Sequence, residues 1–215
     1  MEKHLIHRGI LKKNYKENIL SSFKESFKRG YGIETDIHAT KDDKFVCFHD
    51  FTLKRAFKIK KSIKNLKYQN LKDISINKKS EIPLLEDLLR LSKNKYYLFI
   101  EIKPLFSNKL LKKIIKETNK FKKCVFISFK EKNIYNLLKI KKNIKVGLSF
   151  TQNISIKTII EKSKNKNINY LILDKYFINK KKIQSIKKDK YFYTVKNKKE
   201  FLKYSNKNNL IFENL

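Results

Sequence analysis

The side chains able to move protons or hold a metal are crowded into the first half of the chain. All four histidines, His4, His7, His38 and His49, fall within its first 49 residues. In "IETDIHATKDDKFVCFHD", residues 33–50, Glu34, Asp36 and His38 stand at every second position, the chain turns through "KDD", and the stretch closes on His49-Asp50. Alternate side chains of a strand share a face, so Glu34 and Asp36 point together, as do Glu101 and Lys103 in "FIEIKP". Converging carboxylates repel, and in an apolar setting an uncompensated one is costly. A hard divalent cation with oxygen ligands, Mg²⁺ or Ca²⁺, resolves that conflict. His7 and His49 beside it would supply a general acid and a general base, and Arg8 and Lys103 would add positive charge for an anionic substrate. Metal, cations and two histidines together suit cleavage of a phosphodiester. His4 and His38 read as structural. Alternating charges taken singly mark a solvated strand face, but two of them in a strand as apolar as "YLFIEIKP" do not fit that description.

These residues need a scaffold that brings strand ends together. Eight short apolar runs, at 4–7, 32–37, 97–103, 124–129, 144–150, 169–174, 191–195 and 209–212, read as strands. Between most of them lie segments whose apolar residues return every three or four positions, beginning with "NILSSFKESFKRG" (18–30) and continuing through "LLEDLLRLSK", "NKLLKKIIKETNK", "EKNIYNLLKI", "IKTIIEKSK", "KKKIQSIKK" and "KKEFLKY". Alternation of this kind implies parallel strands with crossover helices, and eight units imply a closed (β/α)8 barrel. His7, Glu34, Asp36, Glu101 and Lys103 then all map to C-terminal strand ends, where barrel enzymes place their sites. "KFVCFHD" follows the second strand too closely for a parallel crossover, so it should return as a hairpin. Centring the turn on Asp42-Asp43 sets Thr40 opposite Phe45, His38 opposite Cys47 and Asp36 opposite His49. Residues 51–82 lack the strand–helix rhythm and are expected to make a small excursion over the mouth of a single domain.

The formal net charge is +33, from 53 Lys and Arg against 20 Asp and Glu. Only Arg8, Arg29, Arg55 and Arg90 are arginines. Sites that grip bases or phosphates favour the planar guanidinium fork, so the lysines read as compositional bias rather than a nucleic-acid surface, with weak association to anionic surfaces left open. Cys47 and Cys124 lie in apolar runs and read as buried thiols. "MEKHLIHRGI" has no long apolar segment and no run reaches a membrane span, so a cytoplasmic protein is expected. The oligomeric state is not readable.

The order and spacing of several motifs resemble those of the glycerophosphodiester phosphodiesterases, barrels related to phospholipase C-like phosphodiesterases. They are "HRG" (7–9), "EN" (17–18), "GIETD" (32–36), "TKDDKFVCFHDFTLKR" (40–55), "IPLLEDLL" (82–89), "IEIKP" (100–104), "ISF" (127–129) and "YTVKN" (193–197). The resemblance implies that Glu34, Asp36 and Glu101 bind one divalent ion and that His7 and His49 are the catalytic pair. It further implies that Arg8 and Lys103 contact the phosphate while Asn18 helps frame the site. The implied reaction releases sn-glycerol 3-phosphate and an alcohol from a small anionic glycerophosphodiester. Asp43 stands where the family usually has a turn glycine, and "LKRAF" lacks the usual threonine run. Tyr193 stands for a tryptophan, and Glu213 for an aspartate. Two other readings are a phosphodiesterase acting on lysophospholipids and a basic binding module for anionic polymers or membranes with an inactive site.

Overall fold

The computed structural model describes residues 4–11, 16–78 and 80–213. Its strands are β1 (Leu5–His7), β2 (Gly32–Ala39), β3 (Phe45–Cys47), β4 (Leu98–Ile102), β5 (Cys124–Ser128), β6 (Val146–Phe150), β7 (Tyr170–Asp174), β8 (Asp189–Val195) and β9 (Asn209–Phe212). Its helices are α1 (Leu20–Lys28), α2 (Lys54–Phe57), α3 (Tyr68–Asn77), α4 (Leu85–Ser92), α5 (Asn108–Thr118), α6 (Glu131–Ile140), α7 (Ile156–Ser163), α8 (Lys181–Gln184) and α9 (Lys198–Tyr204). Eight strands pair in parallel in the order β1-β9-β8-β7-β6-β5-β4-β2, and β1 pairs with β2 to close the ring. This is the (β/α)8 barrel expected from the alternating pattern, with β3 added antiparallel to β2.

The closed ring explains why strand residues on both faces are apolar. Leu5, Phe99, Val125, Ile127, Ile172, Tyr191 and Ile211 fill the interior, while alternate residues such as Ile33, Ile37, Leu98, Ile100 and Phe126 pack outward against the helices. The interior filling stops short of the C-terminal rim, where the inward positions become His7, Glu34, Asp36, Glu101 and Lys103. At Gly32 the backbone of β2 runs so close to β4 that an added Cβ would lie 2.7 Å from the Tyr97 carbonyl oxygen. Cys47 and Cys124 are buried free thiols, and burial pushes both up to about 12. Among the described residues no helix is long and apolar enough to cross a membrane.

Three local expectations are corrected. The hairpin is one residue out of the expected register: Ala39 faces Phe45, His38 faces Val46 and Ile37 faces Cys47. The cause is Asp43, which takes the left-handed conformation (φ 58°) and makes the loop three residues long, Lys41–Asp43. Thr40 N donates to the Lys44 carbonyl at 2.9 Å across this loop, and Asp43 N donates to the Thr40 carbonyl at 3.0 Å. Residues 51–82 are also more regular than expected. They contain α2 and α3, which bury Leu53, Phe57, Ile63 and Leu71 with Val46, Phe48 and Ile82 in a small core of their own behind the hairpin. Finally, "KKKIQSIKK" forms only the single turn α8, anchored by buried Ile183.

Candidate active site

Short backbone links at the rim set the positions of the functional side chains. After β1 the chain turns sharply through Arg8 and Gly9, both at positive φ (56° and 80°). Arg8 N donates to the Glu34 carbonyl at 2.8 Å, and Asn18 N donates to the Arg8 carbonyl at 2.8 Å, so "HRG", "EN" and "GIETD" meet in space. On the far edge of β2, Asp36 lies level with Glu101 of β4. On its hairpin side, Phe48 N donates to the Asp36 carbonyl at 2.9 Å, and the chain leaves the ladder there. His49 therefore reaches the rim from the loop after β3 rather than from a paired strand position.

Carboxylate oxygens of Glu34, Asp36 and Glu101 lie within 4.8 Å of one another, and all three residues are buried. Asp36 is the best compensated. Arg8 Nε is 3.0 Å and Lys103 Nζ 3.4 Å from its oxygens. Asn18 Nδ2 donates to it at 3.2 Å, while Asn18 Oδ1 accepts from Thr35 at 2.8 Å and so fixes the amide's orientation. Burial opposes its charge, yet Arg8 and Lys103 prevail and hold it below the ordinary carboxylate range. Glu101 is 2.9 Å from Lys103 Nζ, but burial and the neighbouring Asp36 charge push it up to about 7. Glu34 is the least satisfied. Its Oε2 is buried with no hydrogen-bond partner, and burial with the charges of Asp36 and Glu101 raises it well above the ordinary range. An orphaned buried carboxylate oxygen within a set of hard oxygen donors is what a divalent cation would satisfy, so the residues fit a Mg²⁺ or Ca²⁺ ligand set.

The two histidines flank this cluster, each anchored through Nδ1. His7 Nδ1 donates to Glu213 at 3.2 Å, which leaves its Nε2 3.8 Å from Glu34. The hydrogen bond from His7 and the Lys196 ammonium hold Glu213 down at about 2 despite burial. His49 Nδ1 donates to Asp50 at 2.7 Å. Burial, partly offset by Asp36, holds His49 below its ordinary value. His38 is structural, as read from the sequence: it is buried, and its Nε2 donates to the His49 carbonyl at 3.1 Å.

A cavity of about 520 Å³ opens at this rim. His7, Arg8, Glu34, His49, Glu101, Lys103 and Tyr193 line it, and Asp36 and Asn18 hold its floor through the contacts above. All nine residues singled out in the sequence are thus brought together. The Tyr193 hydroxyl donates to the Phe150 carbonyl at 2.9 Å, so its ring forms a wall and its oxygen is already engaged.

Sequence reasoning missed the outer support. Arg55 Nε is 2.6 Å from Asp50, Arg55 also pairs with Glu17, and Glu17 reaches Arg8 at 3.1 Å. Glu17 stands inside the motif "EN", Asp50 and Arg55 inside "TKDDKFVCFHDFTLKR", and Lys196, 3.0 Å from Glu213, inside "YTVKN"; that position was the available signal.

Fold and site together define a class: a (β/α)8 barrel with a buried, cation-flanked acidic cluster between two histidines at its C-terminal rim. The chain belongs to the glycerophosphoryl diester phosphodiesterase family, whose sequence model matches residues 7–212. A glycerophosphodiester phosphodiesterase of Caldanaerobacter subterraneus subsp. tengcongensis is 30% identical over 161 residues, covering 68% of this chain and 65% of that protein. The match therefore spans just under two thirds of the relative's length. The human lysophospholipase D GDPD1 is 34% identical over 128 residues, 53% of this chain and 40% of that one. In solved structures the fold resembles a glycerophosphodiester phosphodiesterase of Thermotoga maritima (TM-score 0.82, 22% identity, 99% of this chain and 94% of that chain). It also resembles an Oleispira antarctica phosphodiesterase solved with the product sn-glycerol-3-phosphate (TM-score 0.83, 20% identity, 97% and 91%).

Proposed function

We propose that the chain is a metal-dependent phosphodiesterase that hydrolyses glycerophosphodiesters to sn-glycerol 3-phosphate and an alcohol. In this reading it acts in the cytoplasm as one barrel unit, with residues 51–82 as an insertion at the mouth. One observation carries the reading: the oxygens of Glu34, Asp36 and Glu101 gather within 4.8 Å in a rim that His7 and His49 also line.

Glu34, Asp36 and Glu101 would hold the divalent ion, Mg²⁺ or Ca²⁺, which when bound supplies positive charge to the phosphoryl oxygens. Arg8 and Lys103 hold the anionic phosphate and the charge that grows on it as the new P–O bond forms. Asn18 keeps Asp36 aimed, and Tyr193 walls the substrate. Each catalytic histidine has Nδ1–H committed to a carboxylate, so Nε2 is the nitrogen that exchanges a proton at the site. One histidine takes the proton of the attacking hydroxyl, from water or from the substrate's own 2-hydroxyl. The other returns a proton to the alcohol oxygen as its bond to phosphorus breaks.

Release of glycerol 3-phosphate from a panel of glycerophosphodiesters, with Mg²⁺, Ca²⁺ or EDTA, tests this. Turnover with a divalent ion and its loss on chelation are expected. No release from any substrate with either ion would sink the reading. The panel includes a lysophospholipid because one relative is named a lysophospholipase D. A basic binding module would instead turn over nothing and bind anionic polymers with steep salt dependence.

A further inference from the structure

Seven large hydrophobic side chains stand exposed among the described residues, and five of them, Phe51, Leu105, Phe129, Ile154 and Tyr176, lie on the segments that follow strands at the mouth of the barrel, Tyr176 within a 3-10 turn. Leu105 follows β4, Phe129 follows β5, Ile154 follows β6 and Tyr176 follows β7, so four consecutive loops each carry one. Single exposed apolar residues are normal on any surface, whereas a concentration on one face marks an interaction site.

Acids of the same face are neutralised in pairs: Glu213 with His7 and Lys196, Asp50 with Arg55, Glu200 with Lys175, and the half-exposed Glu131 with Lys162. Lys54, Lys130, Lys198 and Lys199 beside the loops are exposed, and the Lys180 ammonium sits 4.5 Å from the Tyr176 ring centroid. Apolar tips set among outward lysines match the interfacial layer of an anionic bilayer. There the apolar groups enter the acyl boundary while the ammonium groups meet lipid phosphates. The net charge of +33 adds long-range attraction to such a surface.

We infer that the mouth face docks on an anionic lipid bilayer and opens the cavity toward the headgroup layer. This docking is independent of turnover and stands or falls apart from the hydrolytic reading.

The chain contains no tryptophan, so one introduced indole reports only its own surroundings. Leu105→Trp should shift its emission to the blue when phosphatidylglycerol vesicles are added, while Leu202→Trp on outer α9 should not. Wild type should also sediment with those vesicles and not with phosphatidylcholine vesicles. The combined variant Leu105→Ser, Ile154→Ser, Tyr176→Ser should bind at least about tenfold more weakly with an unchanged unfolding temperature, since the three side chains are exposed. Absence of a shift at Leu105→Trp overturns the inference. So does a combined variant that sediments like wild type, because lysines alone would then be acting, as they would toward nucleic acid or any other polyanion.

Discussion

Glu101 sits between neighbours of opposite sign, with Asp36 and burial raising it to about 7 and Lys103 pulling the other way. A carboxyl raised on folding favours its neutral form, so the stability it contributes is complete below the unfolded value and fades as pH rises through the folded one. Glu34 moves in the same direction. His38 and His49, both lowered mainly by burial, act oppositely at pH values below about 6.5. The metal-free protein should therefore lose stability between pH 6.5 and 8, by about 1 kcal/mol from Glu101 alone. Saturating Mg²⁺ should flatten that slope, because a bound ion holds the carboxylates ionised in the folded state. Urea midpoints in EDTA and in Mg²⁺ across this range check it, and parallel curves would contradict it. His7→Ala and His49→Ala should each lower turnover by roughly 10² to 10⁴-fold, and Glu101→Gln should abolish metal-dependent turnover while keeping the fold. Asp50→Asn should lower kcat with little change in KM, since Asp50 touches His49 and not the cavity floor; an altered KM alone would count against its positioning role. The acids and histidines were legible because both types are scarce in this lysine-rich chain. Arg55 was not, since only the fold-back through α2 carries it to Asp50.

Elements were legible wherever a burial pattern repeats. Six of the seven crossover segments show it over about two turns or more, and all eight barrel strands were placed within a few residues. The hairpin register was not legible, because left-handed turn positions are usually announced by glycine and here the residue is Asp43. α3 was hidden for another reason: Leu71 and Ile74 give one turn of period, and the helix is held by the small core around Val46 and Phe57. The turn can be tested directly. Asp43→Val, a β-branched residue at φ 58°, should destabilise by about 1–2 kcal/mol, while Asp43→Gly should be close to neutral. Equal urea midpoints for the two variants would contradict the left-handed assignment.

For the molecule as a whole, the charge falls into two separable sets. Lys103 and Arg8 lie beside buried carboxylates and are poorly screened, whereas Lys112, Lys116, Lys139 and Lys157 are exposed on outer helices. Replacing those four by Gln should alter only the on-rate for a water-soluble anionic substrate, an effect that fades with salt over a Debye length of about 8 Å. Lys103→Ala should cut turnover at every ionic strength. The reverse outcome, measured as turnover against salt, would move the functional charge from the rim to the outer surface.

The hydrogen bond between His7 and Glu213 joins positions 206 apart in sequence, and its partner Glu213 follows directly on β9, the strand that closes the ring against β1. This makes the order of synthesis matter. A growing chain has all three acids and both histidines outside the ribosome while β1 still lacks one neighbour, and His7 acquires its orienting carboxylate only when β9 arrives. The seam that shuts the ring is thus also the step that completes the support of His7 at the rim.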